Sequence, residues 1–430
     1  MICRAPAHTR PRNQPSKGSA VLDLKLIRRE PEAVRKALAR RGAQAGLDRV
    51  LELDERWRAL TQQLEDLQAE RNKATRGRRG PPSPEEHAQE SELAERGRAL
   101  SDEHKAAEDE LNAALAALPN LPDADAPLEE QVLKEVGEAG RGGRDHLELA
   151  GDLIDMDAAA RLSGSRFAYL TGDLVLLEFA LVRFALDKAR EHGFEPVVPP
   201  VLVREPALYG TGFLPDTEQQ IYRLADDDLY LVGTSEVSLA SLHAGEILEE
   251  DQLPLRYVGF STCFRREAGA AGKDTRGIFR VHQFDKVEMF SFVVPETSGE
   301  EHELILSIEE EIMQEFEIPY RVVAIAVDDL GASAAKKYDV EAWLPGQQRY
   351  REVTSCSNTT DYQARRLNIR CRPKDGRPRF VHTLNGTAVA VGRMLIALLE
   401  NGQRDDGTVG LPQRLVEYGA PAVIGATVAD

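Results

Sequence analysis

The chain has 430 residues, of which 29% are charged, and its formal net charge at pH 7 is −18. This length allows two domains with separate hydrophobic cores. No apolar run is long enough to span a membrane, because the best candidate, residues 174–186, is interrupted by Glu178 and Arg183. The four cysteines have neither metal-ligand spacing nor a disulfide pattern, which predicts a reducing compartment, the cytoplasm, and no zinc.

The first twenty residues contain four basic groups, three prolines and no acidic residue. This composition predicts a disordered N-terminal extension over residues 1–20. An arginine-rich segment without acids is also typical of an organellar transit peptide. We favour the dispensable extension, and the transit peptide stays open as the alternative.

Two heptad seams follow, separated by a Gly/Pro-rich break at residues 80–84. The first seam consists of Val50, Leu53, Trp57, Leu60, Leu64 and Leu67. The second consists of Leu93, Gly97, Leu100, His104, Ala107, Leu111, Ala114 and Leu118. Because proline and glycine end a helix, the two seams predict an antiparallel helical hairpin, an arm about 40 to 50 Å long. Gly97 and His104 weaken the second seam.

Basic residues are concentrated at the predicted tip of this arm, in a stretch without acids. They are Arg71, Lys73, Arg76, Arg78 and Arg79. A net charge of −18 does not exclude a local surface that binds a phosphate backbone. Periodicity alone favours a spacer or a dimerisation coil over nucleic-acid binding. A second basic cluster, residues 365–379, is a further candidate for such a surface, or is ordinary solvated charge.

The proline-punctuated segment 118–127 predicts a linker, and we place the domain boundary there. Residues 128–430 lack a βαβ rhythm, a Walker-type GxxxxGK[ST] and a strand-linked GxGxxG, so a parallel nucleotide-binding sheet is unsupported. A helix is predicted over residues 173–192, followed by a strand within 194–203.

The segment CFRREAGAAGKDTRGIFRVHQFDKVE, residues 263–288, concentrates residue types that bind a nucleoside triphosphate. Aromatic and β-branched residues on both sides predict two strands, the second beginning near Ile278, joined by a long loop. Arg265, Glu267 and Arg280 flank that loop and could meet at one ligand, since guanidinium groups suit phosphate oxygens. A charged, solvated hairpin is the alternative for these residues. Because side chains alternate between the two faces of a strand, five residues fall on one face of the second strand: His282, Phe284, Lys286, Glu288 and Phe290.

Four blocks together carry a specific resemblance. Residues 263–288 resemble motif 2 of the seryl-tRNA synthetases, a class II aminoacyl-tRNA synthetase family. Residues 231–248 resemble the family's serine-binding segment, 350–366 its metal and phosphate segment, and 382–401 its motif 3. The resemblance extends from about Val21 to about Tyr418.

The resemblance implies an α+β fold, with an antiparallel class II β-sheet flanked by helices and an N-terminal antiparallel coiled-coil arm. It implies a tRNA-binding domain at residues 21–120 and an aminoacylation domain at 128–430. It also implies a homodimer formed through motif 1, the helix and strand within 173–203. The implied partners are L-serine, ATP, Mg²⁺ and serine tRNA, which the arm binds at the basic tip residues. Whether selenocysteine tRNA is also charged is left open.

For ATP, the resemblance implies that Arg265 contacts the α-phosphate and the serine carboxylate, and that Glu267 accepts from the adenine amino group. Phe284 and Arg393 would cover the two faces of the adenine, and Arg280 would face the distal phosphates. Glu352 and Ser355 are the implied Mg²⁺ ligands. The implied ATP-binding set is Arg265, Arg266, Glu267, Arg280, Val281, Phe284, Glu352, Val353, Thr354, Ser355 and Arg393, with Arg265, Glu267 and Arg393 as the catalytic residues.

For serine, the implied contacts are Thr234, Ser235, Glu236, Arg265, Glu288, Asn385 and Thr387. We assign the hydroxyl to Glu288 and Thr387 and the ammonium to Glu236 and Thr234. Two alternatives remain: Glu288 as an ordinary strand carboxylate, and the Thr-Ser-Glu triplet as a helix cap.

The sequence therefore predicts ATP-dependent ligation of serine to tRNA. Three other functions have to be weighed against it: a ligase that charges a carrier protein, a paralogue that only binds RNA, and a coiled-coil scaffold. The intact heptad seams argue against the first, because such homologues are expected to lack the arm. The retained Arg265, Glu267, Glu288, Glu352 and Arg393 argue against the second. A scaffold leaves the remaining three hundred residues unexplained.

Overall fold

We describe the chain from a computed structural model. It describes residues 22–76, 80, 82–215, 220–268, 272, 274 and 276–425. The predictions for residues 1–20 and for Arg78 and Arg79 lie outside this part of the chain.

The N-terminal region is helical and contains the predicted hairpin. Its helices are α1 (Leu24–Arg29), α2 (Pro31–Ala39), α3 (Gln44–Thr75) and α4 (Pro84–Ala117). A capping box explains why α4 starts after the proline-rich break: the Ser83 hydroxyl accepts from the Glu86 amide at 3.2 Å, and the Ser83 amide donates to the Glu86 carboxylate at 2.6 Å. The predicted arm is confirmed.

The heptad seams of α3 and α4 face each other, as predicted. Leu53, Leu60 and Leu67 of α3 are buried, as are Leu93, Ala107 and Leu111 of α4. His104, which interrupts the apolar seam, shares a 2.9 Å hydrogen bond between its Nε2 and the Thr61 hydroxyl. Its ring also lies 5.6 Å from the Trp57 ring. The polar residue thus makes a specific contact between the two helices.

At the base of the arm, both long helices join α1 and α2 in one hydrophobic cluster. Buried members include Ile27, Leu38, Val50, Leu111 and Leu115. The tip therefore extends from a packed base, and the 32 residues of α3 correspond to about 50 Å of helix.

The rest of the described chain is built on an eight-stranded sheet of order β1-β11-β12-β13-β16-β10-β9-β4. All neighbouring pairs are antiparallel except β4 and β9, which are parallel. This confirms the class II sheet and adds one parallel edge strand. The strands are β1 (Gln131–Val136), β2 (Ile154–Asp155), β3 (Tyr169–Leu170), β4 (Glu195–Val197), β5 (Leu202–Val203), β6 (Arg223–Leu224), β7 (Leu229–Leu231), β8 (Ile247–Glu249), β9 (Leu255–Phe264), β10 (Gln283–Val293), β11 (Tyr320–Ala324), β12 (Lys336–Leu344), β13 (Arg349–Thr360), β14 (Arg370–Arg372), β15 (Arg379–Phe380), β16 (His382–Ala390), β17 (Val409–Gly410) and β18 (Val423–Ile424).

Helices cover one face of this sheet. Val287 and Met289 of β10 belong to the large core beneath α7, α10 and α12, whereas Glu288 and Phe290 point to the opposite face. The predicted alternation along β10 is therefore confirmed. The helices of this region are α5 (His146–Ala150), α6 (Met156–Ser163), α7 (Asp173–Glu191), α8 (Glu205–Thr211), α9 (Glu236–Ala240), α10 (Ser298–Glu315), α11 (Tyr362–Leu367), α12 (Val391–Asn401) and α13 (Gln413–Glu417).

One local prediction needs correction. The second strand of the hairpin begins at Gln283 and not near Ile278, because the Ile278 amide donates to a histidine side chain and the His282 amide to the Arg166 carbonyl. At the Thr-Ser-Glu triplet, α9 begins at Glu236, so Ser235 occupies the N-cap position that the helix-cap interpretation gives it, but its side chain makes no cap bond. The Thr234 hydroxyl instead accepts from the Glu236 amide at 3.3 Å.

Among the described residues, no helix is both long enough and apolar enough to cross a membrane.

Candidate active site

A cavity of about 360 Å³ opens on the face of β9, β10, β13 and β16 that the core helices leave free. Of the sequence-predicted ATP and serine residues, all but Arg266 and Ser235 line it. The wall consists of Phe213, Thr234, Glu236, Arg265, Glu267, Ile278, Phe279, Arg280, Val281, Phe284, Lys286, Glu288, Glu352, Val353, Thr354, Ser355, Asn385, Thr387, Ala390, Gly392 and Arg393.

Arg265 is held at the end of β9 by its neighbours. Its amide donates to the His282 carbonyl at 2.9 Å, and its Nε donates to the Gly233 carbonyl at 3.1 Å. Its guanidinium carbon lies 5.2 Å from the centre of the Phe284 ring. The terminal nitrogens of Arg265 therefore face the cavity from a fixed base, next to the aromatic ring predicted to contact adenine.

Glu267 and Arg280 lie at the two ends of the motif 2 loop and form an ion pair at 2.7 Å. Burial lowers the pKa of Arg280, but its hydrogen bond to Glu267, together with the negative charges of Glu267 and Asp274, outweighs this effect and leaves the pKa raised. Farther along the loop, Asp274 accepts from both terminal nitrogens of Arg351 at 3.1 and 2.9 Å. The sequence predicted separate roles for Glu267 and Arg280 at opposite ends of ATP, and here they contact each other.

Glu288 lies among the cavity residues predicted to contact serine and is fully buried. Its carboxylate accepts from the Thr387 hydroxyl and from the Asn385 amide, each at 3.2 Å, and forms an ion pair with Lys286. Three donors thus fix the position of this carboxylate. A simple strand-surface carboxylate is excluded by this burial.

Glu236 is the second carboxylate among the residues predicted to contact serine. Its Oε1 accepts from the Gln363 side chain at 2.7 Å. Burial, followed by repulsion from Glu288, raises the pKa of Glu236 to about 7. The two carboxylates therefore have different polar surroundings, because the three donors surround only Glu288.

Arg393 enters the cavity from the first turn of α12. Its Nη1 donates to the Glu352 carbonyl at 3.0 Å and lies 3.3 Å from the Glu352 carboxylate, which is the anionic partner that an arginine in an apolar run requires. Burial opposes ionisation of Glu352, but the charges of Arg393, Lys337 and Arg265 lower its pKa overall.

Glu352 and Ser355 both line the cavity and carry the hard oxygen donors that Mg²⁺ prefers. Two protein ligands suffice for Mg²⁺ when phosphates and water complete the octahedron, so the residues present fit this ion. No group of three or more His, Cys, Asp or Glu side chains with metal-binding geometry occurs among the described residues.

Several wall residues were not assigned from the sequence. Phe279 lies below two guanidiniums, 3.7 Å from Arg351 and 4.8 Å from Arg393, measured from ring centre to guanidinium carbon. Lys286 was placed on the correct strand face but received no role. Of the two predicted residues outside the wall, Arg266 is exposed at the base of the loop and Ser235 is buried behind Thr234.

At the far end of the arm, Arg71, Lys73 and Arg76 are exposed, as a phosphate-binding surface requires. The second basic cluster is different. Arg366 is buried and donates to the carbonyls of Tyr209 and Ala116, each at 2.8 Å. Arg365, Arg372 and Arg379 each form an ion pair with a nearby carboxylate. Part of the charge of residues 365–379 is therefore paired within the chain, whereas Lys374 and Arg377 are exposed. A phosphate-binding surface at this segment stays a prediction.

The family models agree with the fold. The tRNA synthetase class II core domain (G, H, P, S and T) matches residues 220–402, and the seryl-tRNA synthetase N-terminal domain matches residues 21–122. The fold and cavity are those of a class II aminoacyl-tRNA synthetase.

Relatives that match nearly the whole chain identify the family within this class. The serine–tRNA ligase of Acidothermus cellulolyticus is 52% identical over 93% of this chain and 98% of that protein. That of Rubrobacter xylanophilus is 49% identical over 94% and 99%. The crystal structure of seryl-tRNA synthetase from Pyrococcus horikoshii complexed with ATP superposes with a TM-score of 0.87, at 44% identity over 94% of this chain and 99% of that one. The chain belongs to the seryl-tRNA synthetase family.

Proposed function

We propose that the cavity joins L-serine to ATP, giving seryl-adenylate and pyrophosphate, and that the seryl group then passes to the 3′ end of serine tRNA. The overall activity is that of the family, serine–tRNA ligation. One observation supports this role of the cavity above all others. The guanidinium groups of Arg265 and Arg393 and the carboxylates of Glu236 and Glu288 line the same cavity.

In the first step, a serine carboxylate oxygen attacks the α-phosphorus and the bond to the bridging oxygen breaks, so that pyrophosphate leaves with the electron pair. Negative charge grows on the α-phosphate oxygens, where Arg265 supplies positive charge from a fixed base. Phe284 and Arg393 hold the adenine between them, and Glu267 accepts from its amino group. For Glu267 to accept from the adenine amino group, Arg280 has to leave its ion pair with Glu267 and turn to the distal phosphates.

Glu352 and Ser355 would hold Mg²⁺, which when bound offsets the charge of the phosphates. Val281, Val353 and Thr354 complete the wall on the nucleotide side. Arg266 and Ser235 have no role in this mechanism, because neither side chain reaches the cavity.

Selection of serine rests on Glu288 and Thr387 for the hydroxyl and on Glu236 and Thr234 for the ammonium, with Asn385 orienting Glu288. An amino acid without the hydroxyl would leave buried acceptors unpaired, and this discriminates more strongly than cavity size.

The arm serves the second step. We propose that its exposed tip binds serine tRNA by backbone and shape, since double-stranded RNA offers side chains little base information. We extend the same role to selenocysteine tRNA, which parallel charging assays with the two tRNAs would test.

Three further features belong to the proposal. Residues 21–120 form the tRNA-binding domain and residues 128–430 form the aminoacylation domain.

The chain dimerises through motif 1, whose Leu176, Phe179 and Val198 are large apolar side chains left exposed in the single chain. Measuring the molar mass in solution tests whether the chain forms a dimer. The buried free thiols of Cys263, Cys356 and Cys371 suit a reducing cytoplasm.

The decisive experiment is ATP–pyrophosphate exchange with a panel of amino acids. Serine should stimulate exchange and the others should not. Arg265→Ala should lower the serine-dependent rate by at least a hundredfold, because it removes the charge that faces the α-phosphate. The control is Arg372→Ala, which removes an exposed guanidinium outside the cavity and should leave exchange unchanged. Exchange driven by another amino acid and not by serine would contradict the proposal.

A further inference from the structure

A buried histidine–glutamate pair lies behind the cavity wall and has no part in the mechanism above. His146 begins α5, and Glu400 lies near the end of α12. They are 5% and 0% exposed, and His146 Nδ1 is 3.3 Å from Glu400 Oε1. Two buried polar side chains that contact no substrate need a physical explanation.

The hydrogen-bond partners define how the imidazole is protonated. The Ile278 amide donates to His146 Nε2 at 3.3 Å, so Nε2 carries the lone pair. The hydrogen is then on Nδ1 and is donated to Glu400. This carboxylate also accepts from the His146 amide at 3.2 Å and from the Gly346 amide at 2.8 Å. Glu400 therefore links α12 to α5 and to the turn between β12 and β13, and His146 extends the link to the motif 2 segment.

Glycines permit this close approach. Gly277 has a φ of +81°, and a Cβ at this position would overlap the His146 imidazole. At Gly346, a Cβ would lie 2.7 Å from the Cα of Asp145 and 3.0 Å from a Glu400 oxygen. The two chain segments thus contact the pair at distances that a side chain would prevent.

The contacted segment carries three wall residues: Ile278, Phe279 and Arg280. Because it precedes β10, no strand ladder holds it in place, and the Ile278 amide has the imidazole as its acceptor. We propose that His146 and Glu400 are positioning residues for ATP, which hold residues 277–280 so that Phe279 and Arg280 meet the nucleotide. This inference rests on the proposed function, in which the cavity binds ATP.

Two substitutions of His146 separate positioning from general stability. In His146→Gln, the side-chain oxygen can reach the place of Nε2 and still accept from Ile278. In His146→Asn, the shorter amide reaches only the place of Nδ1, so the Ile278 amide loses its acceptor. In serine-dependent exchange we expect His146→Asn to raise the KM for ATP about tenfold and His146→Gln at most about threefold, while the KM for serine stays within about twofold.

The matched control is His192→Asn, which removes another histidine–glutamate contact, 3.0 Å to Glu311, from outside the cavity. It should leave the KM for ATP unchanged. An unchanged KM in His146→Asn, equal rises in both His146 variants, or an equal rise in His192→Asn overturns the inference.

If His146→Asn does not fold, Gly277→Ala replaces it, because the added Cβ displaces the imidazole without altering its chemistry. A rise in the KM for ATP supports the inference, and an unchanged KM overturns it. Absence of serine-dependent exchange in the unmodified protein would overturn the proposed function instead, so the two failures are distinguishable.

Discussion

At the scale of single residues, the part of the cavity that we propose to bind serine contains two carboxylates with different environments. Glu288 accepts from Lys286, Asn385 and Thr387, whereas Glu236 has the amide of Gln363. Burial and the charge of Glu288 raise the pKa of Glu236 to about 7. An ammonium that binds Glu236 needs its charged form, so the protonation of this one residue should control serine binding near neutral pH.

The corresponding prediction concerns the KM for serine. Below pH 7, Glu236 takes up a proton and loses its charge, and the fraction able to bind the ammonium falls about tenfold from pH 8 to pH 6. The KM for serine, measured by exchange at saturating ATP, should rise by about that factor. Glu236→Gln should raise the KM at pH 8 and remove most of the pH dependence. A flat profile in the unmodified enzyme would contradict the role of Glu236.

Residues of the cavity wall were easier to predict than residues that lie behind the wall. Arg265, Glu288 and Arg393 stand in motifs whose chemistry is local, and the structure places all three in one cavity. His146 and Glu400 are 254 positions apart, and each alone has an ordinary sequence context. Their importance comes from a contact that only the folded chain creates.

At the scale of elements, the arm was the most predictable part of the chain, because heptad spacing depends on helix geometry alone. The details came from tertiary contacts. His104 looked like a defect of the seam, yet it bonds Thr61 across the two helices. The start of β10 was misplaced, because the alternating pattern continues through residues 278–282 while their amides bond elsewhere.

The contact between Thr61 and His104 offers a place to shorten the arm. Deleting residues 62–103 and closing the gap with a short Gly-Ser linker removes the exposed tip and keeps the hydrophobic cluster at the base. We expect serine-dependent exchange within about twofold of the unmodified enzyme, and aminoacylation of serine tRNA lowered at least a hundredfold. Both are measured on the same preparation, so exchange controls for folding. Undiminished aminoacylation would contradict the role of the arm.

At the scale of the whole molecule, the arm-bearing region docks on the catalytic region largely through side-chain bonds to main-chain carbonyls. The Arg41 guanidinium donates to the carbonyls of Leu330, Gly331 and Ala334 in the catalytic region at 2.7 to 3.0 Å. It also donates to the Asn120 carbonyl of its own region at 2.9 Å. From the other side, Arg366 donates to the Ala116 carbonyl at the end of α4. Such contacts fix direction as well as distance, so they set the angle at which the arm leaves the catalytic region. No sequence pattern predicts these hydrogen bonds, because their acceptors are backbone atoms.

Arg41→Ala should therefore affect the two half-reactions differently. The arm-bearing region loses three directed bonds to the catalytic region, so a bound tRNA presents its 3′ end to the cavity less accurately, while the cavity itself keeps its contacts. We expect kcat/KM for tRNA to fall about tenfold and exchange to stay within about twofold. Arg35→Ala is the control, because it breaks an ion pair with Asp48 inside the arm-bearing region, away from the docking contacts. Parallel losses of exchange and charging in Arg41→Ala would mean that this arginine stabilises the catalytic region instead of orienting the arm.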